Sequence, residues 1–189
     1  MCSKELKSGG QMNLTDEKLM EKFQNGDTEA LNELYERYRA PLFRFIYRCT
    51  RDDQLSMDVV QDAFLKLQQK KHYFSPEKGR LKTYLFQIAY HTMISKIKMR
   101  ARWHRLLPFL YKEPVNISRS DEKMEVERML QSLSNEQRAV IVLFYYHDLS
   151  QKDIARILNI PLGTVKSRLH QAVQKMRKEW GIESDGKGS

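Results

Sequence analysis

From Leu19 onward the apolar residues of this 189-residue chain return at intervals of three and four, the spacing of a helix with one buried face. Thr15 is placed to cap a first short helix carrying Leu19, Met20 and Phe23, which Gly26 ends. Asp27 caps a second with Ala30, Leu31, Leu34, Tyr35 and Tyr38 on one face. Pro41, tolerated in a first helical turn, is expected to open a third with Leu42, Phe45, Ile46 and Cys49. After the polar break RDDQ (51–54) comes a helix with Val59, Val60, Ala63, Phe64 and Leu67 inward. Residues 70–79 hold Pro76 and Gly79 and predict a loop. A long helix then runs from Leu81 to about Arg102, with Leu81, Tyr84, Leu85, Ile88, Ala89 and Thr92 on one side. No segment alternates as a strand does, so the expected fold is all-α.

Leu106–Ser120 (LLPFLYKEPVNISRS) has two prolines and no period, which predicts a flexible linker between two small helical domains. Helical spacing resumes near Asp121 with Met124, Met129, Leu130 and Leu133. Ser134-Asn-Glu-Gln137 has the form of a capping box, and Ser150-Gln-Lys-Asp153 is a second helix start with Leu149 and Ile154 spaced as a hydrophobic staple. That second helix ends at Asn159-Ile160-Pro161, and another begins at once. Two short helices so tightly joined form a helix-turn-helix. The boundaries expected are an N-terminal extension (1–12), a first domain (13–105), the linker (106–120), the helix-turn-helix domain (121–180) and a tail (181–189).

Charge adds a direction to this outline. Net charge is +9, yet between Lys70 and Lys112 eleven Lys or Arg face a single acid, Glu77. That block alone carries +10, and the remaining residues sum to about −1. A concentrated cationic block suits a polyanion such as DNA, whose phosphates bind Lys and Arg with release of counterions. The longest apolar run, Ala139–Tyr146, is too short to cross a bilayer. The opening MCSKELKSGGQ lacks an apolar stretch, so no leader peptide, no membrane insertion and a cytoplasmic location are expected. Cys2 and Cys49 match no metal or disulfide spacing and are read as reduced thiols.

The last helix has two different faces. Leu162, Val165, Leu169, Ala172, Val173 and Met176 form an apolar stripe. Opposite lie Gly163, Thr164, Ser167, Gln171 and Gln174, flanked by Lys166 and His170 on one side and Arg168 and Lys175 on the other. A packing helix needs the stripe, but packing does not account for an outward face without a carboxylate from Leu162 to Arg177. Amide and hydroxyl groups at the centre suit base edges in a major groove, and flanking cations suit phosphates.

With these residues in view, LSQKDIARILNIPLGTVKSRLHQAVQKMR (149–177) resembles the C-terminal DNA-binding domain of bacterial sigma factors, in particular the extracytoplasmic-function class of the sigma-70 family. The Gly-Thr-Val-Lys-Ser-Arg core at 163–168 carries the likeness; Leu133-Ser134 stands where many members have Leu-Pro. The resemblance implies reading of the minus-thirty-five element by Thr164, Lys166, Ser167, Arg168, His170, Gln171 and Lys175. DVVQDAFLKLQQ (58–69) is similar to the family's core-binding helix, which implies contact with RNA polymerase core through Asp58, Gln61 and Asp62. FSPEKGRLKTYLFQIAYHTMISKIKMRAR (74–102) resembles the promoter-opening segment, with Tyr84, Leu85, Ile88 and Ala89 on its apolar core. Single-strand capture at the minus-ten element needs aromatic platforms beside a cationic groove. The residues so implied are Tyr73 and Phe74, expected to be exposed because they lie in a loop, with Lys78, Arg80, Lys82, Lys96, Lys98, Arg100 and Arg102. His91, Ser95 and Lys98 replace the Asn, Asp and Arg common in the family, a departure at the contacts that set minus-ten preference.

The resemblance implies a sigma factor directing promoter-specific initiation, with RNA polymerase core and promoter DNA, duplex and melted, as partners. An anti-sigma factor is implied as a further partner. No cofactor or metal and no enzymatic activity are expected. The chain lacks a phosphate-binding Gly-rich loop, a His-Glu-x-x-His helix and a cysteine cluster. The competing expectation is a stand-alone helix-turn-helix regulator, which requires a ligand or dimerisation unit in the first half.

Overall fold

The computed structural model describes residues 14–106 and 121–180. The expected N-terminal extension and tail, and all of the expected linker but Leu106, lie outside the described residues. Among those described there are eight α-helices and no strand. α1 (Asp16–Gln24), α2 (Thr28–Thr50), α3 (Asp53–Gln69) and α4 (Leu81–Leu106) form the first unit. α5 (Asp121–Ser132), α6 (Asn135–Ile141), α7 (Gln151–Leu158) and α8 (Leu162–Glu179) form the second, with a π-helical turn at Val142–Tyr146 after α6.

The capping residues act where the sequence put them. The Thr15 hydroxyl accepts from the Lys18 amide, Asp27 from Glu29 and Ala30, and Asp52 from Leu55. Ser134 and Gln137 make both bonds of the capping box. Each such cap is worth about 1 kcal/mol.

Pro41 behaves otherwise than expected. It lies within α2, which runs unbroken from Thr28 to Thr50. A proline inside a helix costs about 3 kcal/mol. Leu34, Leu42, Phe45 and Ile46 are fully buried along one α2 stripe, each contributing about 1.5–3 kcal/mol. A break at Pro41 would misalign that stripe, so burial outweighs the local penalty. The helix stops ten residues later at Arg51, whose left-handed backbone (φ 59°) is held by an ion pair to Glu127 of α5 and by stacking on Tyr47.

α4 is the central element. Leu81, Leu85 and Ala89 are buried as their spacing predicts, but so are Thr83, Phe86 and Met93, which lie off that stripe. One side of α4 packs on α3, where Lys66 Nζ donates to Thr92 Oγ1 at 2.9 Å. Another packs on α7 of the second unit. One hydrophobic core runs through both units, from Leu19 and Phe23 to Leu169 and Ala172.

Candidate nucleic-acid and polymerase interface

α7 and α8 meet at a turn built from backbone bonds. Asn159 is left-handed (φ 53°), and the Ile160 amide donates to the Ala155 carbonyl. Pro161 then caps α8, its carbonyl accepting from the amides of Thr164 and Val165. Ile154, Ile157, Val165 and Ala172 are buried between the two helices and their neighbours. Lys166, Ser167, His170 and Gln171 are exposed on the opposite face of α8, and Thr164 is half-buried at its start. The Ser167 hydroxyl donates back to the Thr164 carbonyl at 3.1 Å.

One of the expected phosphate contacts is bonded within the protein, and another lies near its charged groups. Lys175 Nζ donates to the Ser132 carbonyl at the end of α5. Arg168 is half-buried and lies within electrostatic reach of Glu136 and of Tyr90 on α4. The Tyr90 hydroxyl is pushed up chiefly by burial; Cys49 and Glu136 add to the rise and Arg168 opposes it.

In the first unit the expected strand-capture residues divide. Tyr73 is 77% exposed, as a loop aromatic available for stacking would be. Phe74 is not exposed, contrary to expectation. It is buried against the Tyr84 ring, centroids 5.6 Å apart, and its carbonyl accepts from Gln24 Nε2 at 3.0 Å. The loop is anchored to α1 by that amide and by Lys71 Nζ on the Phe23 carbonyl, which draws Phe74 into the core. Lys78, Arg80, Lys98 and Arg102 are exposed. Lys82 Nζ donates to the His147 carbonyl at 2.6 Å, Lys96 pairs with Asp62 at 2.9 Å, and Arg100 pairs with Asp52 at 2.5 Å.

The three expected polymerase contacts stand within one turn of α3, between two flanking clefts. Gln61 lines an open groove of about 430 Å³ between α2 and α3, with Tyr35, Arg39, Phe43, Arg44, Met57 and Val60. Asp58 lies on the other side, in a cleft of about 170 Å³ with Gln54, Lys96, Met99, Arg100 and Trp103. Asp62 faces α4 through Lys96. The α2 half of the first groove lies outside the expected contacts. Its signal in the sequence is Phe43, a large apolar residue off the buried stripe of α2; across the groove Met57 of α3 is 47% exposed.

Comparison with known proteins places these parts. Residues 34–103 match Sigma-70 region 2, and residues 123–176 match Sigma-70, region 4. The chain is 30% identical over 154 residues to the ECF RNA polymerase sigma factor SigL of Mycobacterium tuberculosis, covering 78% of this chain and 86% of that one. The chain belongs to the sigma-70 family, in its extracytoplasmic-function class. The sigma factor is also 26% identical over 184 residues to SigW of Bacillus subtilis, covering 89% of this chain and 98% of SigW. Its fold matches that of the Bartonella quintana sigma factor RpoE, solved with the anti-sigma factor NepR, with a TM-score of 0.70, 24% identity and coverage of 80% and 97%. CnrH, solved with the cytosolic domain of CnrY, matches with a TM-score of 0.68, 23% identity and coverage of 89% and 99%.

As a sigma factor, the protein directs RNA polymerase to particular promoters. A stand-alone regulator is not favoured, because its required ligand or dimer unit would occupy the segment that matches region 2. Sigma factors are generally DNA-recognition proteins without enzymatic activity. Among the described residues no helix is long and apolar enough to cross a membrane.

Proposed function

We propose a division of labour between the two units. Residues 13–105 dock on RNA polymerase core and open the minus-ten element; residues 121–180 read the minus-thirty-five duplex; residues 106–120 link them, flanked by the extension 1–12 and the tail 181–189. The face of α8 carries this reading: Lys166, Ser167, His170 and Gln171 are exposed on a helix whose other side is locked into the helix-turn-helix core. Ser167 and Gln171 are assigned to base edges, and Lys166 to phosphate, with Thr164 and His170 beside them. Arg168 is assigned to phosphate as well, and Lys175 reaches phosphate by giving up the Ser132 carbonyl.

In the first unit Asp58, Gln61 and Asp62, with the Tyr35–Phe43–Met57 groove, are assigned to a basic surface on polymerase core. Tyr73 is assigned to stacking with a melted base, and Lys78, Arg80, Lys98 and Arg102 to the backbone of that strand. Phe74, buried against Tyr84, is assigned to anchoring the loop that carries Tyr73. The sigma factor acts in the cytoplasm without catalysis of its own. An anti-sigma factor is a further partner, as the relatives solved with NepR and with CnrY support.

The test is transcription from a promoter library with purified polymerase core. Promoter-specific transcripts only when core and this protein are both present are the expected outcome. Tight, specific duplex binding that needs no core would sink the assignment.

A further inference from the structure

On the side of α3 away from the α2 groove, the last turns of α4 form a cleft of about 170 Å³. Lys96, Met99, Arg100 and Trp103 recur at three and four along one stripe of α4 and face Gln54, Leu55 and Asp58 of α3. The charges across this cleft do not match one for one. Lys96 pairs with Asp62 at 2.9 Å, and Arg100 with Asp52 at 2.5 Å. Asp58, which falls between those two carboxylates in the chain, is half-buried and accepts from Gln54 Nε2 at 3.0 Å. Among the described residues no cation pairs with it. Beside it two large apolar side chains stand in water, Met99 at 55% exposure and Trp103 at 48%. A half-buried carboxylate without a cation has lost hydration and gained no counter-charge, while an exposed indole offers a π face to a cation.

The walls of the cleft select its occupant. Small-molecule pockets enclose roughly 300–1,000 Å³, so this smaller space suits a single long side chain. Asp58 repels a phosphate. A lysine would meet that carboxylate as a point charge and leave the indole face poorly covered. An arginine uses every wall. Its planar fork bonds a carboxylate through two N–H groups, its face stacks on an indole, and its methylene stem lies along an apolar neighbour such as Met99.

We propose that the α3–α4 cleft receives one arginine of RNA polymerase core, with Asp58 as its carboxylate, Trp103 as its stacking face and Met99 against its stem. The proposal rests on the assignment of α3 to core docking and carries that surface onto α4. It also divides α4 by face. Lys98, Arg102 and Arg105, three and four residues apart, are exposed on a stripe other than that of Met99 and Trp103. Cations directed at DNA and the stripe turned to polymerase therefore do not overlap. Trp103 and Met99 are specificity residues: they prefer arginine to lysine at a place where Asp58 alone accepts either.

The test is titration of the labelled full-length chain with purified polymerase core. Trp103→Ala should weaken binding roughly tenfold, and Asp58→Asn roughly thirtyfold. Trp103→Phe keeps a π face and should recover most of the loss. The double variant Asp58→Asn/Trp103→Ala should lose less than the product of the single losses, because each gives up the same arginine. Denaturant unfolding should barely move in any of these variants, since both side chains reach solvent. A benzophenone amino acid at position 103, irradiated in the holoenzyme, should attach to a polymerase subunit at or next to an arginine. Losses that simply multiply would separate Trp103 from Asp58 and overturn the shared arginine. Attachment to DNA, or core binding left intact while promoter binding weakens, would overturn the proposal by giving the cleft to DNA. Unchanged core affinity for both single variants, with Asp62→Arg still defective, would sink the arginine site and leave α3 as the docking surface. Unchanged affinity for all three would remove docking on α3, and the arginine site with it.

Discussion

Lys96 Nζ lies 2.9 Å from Asp62 Oδ2, so a cation expected on melted DNA is paired with a carboxylate expected on polymerase. The pair is partly exposed, and pairs of that kind contribute at most about 1 kcal/mol. It is weak enough to exchange for stronger external partners. Asp62→Arg should leave folding nearly unchanged, since Lys96 can swing into solvent. Reversing a charge on the docking face should weaken core binding by about 2 kcal/mol or more, roughly thirtyfold. Titration of labelled protein with polymerase core measures this; unchanged affinity removes α3 as the docking surface.

On α8, Gln171→Ala and Lys166→Ala should fail in different ways. Losing a side chain that bonds a base edge costs about 1–3 kcal/mol of discrimination at one promoter position. Losing a phosphate contact weakens all sequences alike and lowers the salt dependence of binding by about one counterion. Holoenzyme binding to a set of minus-thirty-five variants, at several salt concentrations, separates the two. A uniform loss for Gln171→Ala would move it from base reading to phosphate.

The two neighbouring aromatics of the loop should also separate. Phe74→Ala opens a cavity beside Tyr84 and should destabilise the protein by about 3–5 kcal/mol. Tyr73→Ala removes a ring exposed to solvent, should change stability by less than about 0.5 kcal/mol, and should slow promoter opening. Denaturant unfolding and permanganate footprinting of the open complex read the two effects. Normal opening with Tyr73→Ala would leave the loop without its stacking platform.

Arg138 closes the end of α5. Its guanidinium donates to the carbonyls of Leu130 at 2.6 Å, Gln131 at 3.0 Å and Leu133 at 3.1 Å, besides that of Cys49. Arg138→Met keeps the stem but leaves these carbonyls unpaired, several of them away from water. A loss of about 2–4 kcal/mol is expected from unfolding curves. A change below about 0.5 kcal/mol would mean that solvent replaces the guanidinium.

Acid should act at Asp52. Burial opposes ionisation there, but the Leu55 amide and Arg100 outweigh it and hold the carboxyl below its ordinary value. A lowered value means that Asp52 stabilises the fold above its unfolded value near 3.8 and loses that contribution as pH falls further. Asp52→Asn should therefore flatten the acid limb of the stability curve. An unaltered limb would show that neither the cap nor Arg100 is coupled to folding.

Much of the molecule follows from local chemistry along the chain. Thr15, Asp27, Ser134 and Ser150 determine helix starts because each bonds amides two or three residues ahead, within reach of sequence alone. The apolar stripes of α3 and α8 are likewise local patterns, and they separate the two faces of α8 before any packing is known. The Gly-Thr-Val-Lys-Ser-Arg segment carries family membership for the same reason. Pro41 shows where such reasoning stops, since the helix through it is held by α1, α3 and α4 rather than by its own neighbours.

Tertiary structure alone decided which sides of α4 are covered. Its spacing announced one buried stripe, but Thr83 and Phe86 are buried too, because a second unit some sixty residues later in the chain covers another side. Periodicity records that a position is apolar, not which distant element meets it. Phe74 was drawn inward by Gln24, fifty residues away, and Lys82 was taken up by a carbonyl sixty-five residues away. Sequence by itself determined most of the helix starts, the helix-turn-helix and the family. Long-range contacts, in which unrelated segments compete for one side chain, decided which of the residues expected on promoter DNA are exposed and which are held by the protein itself.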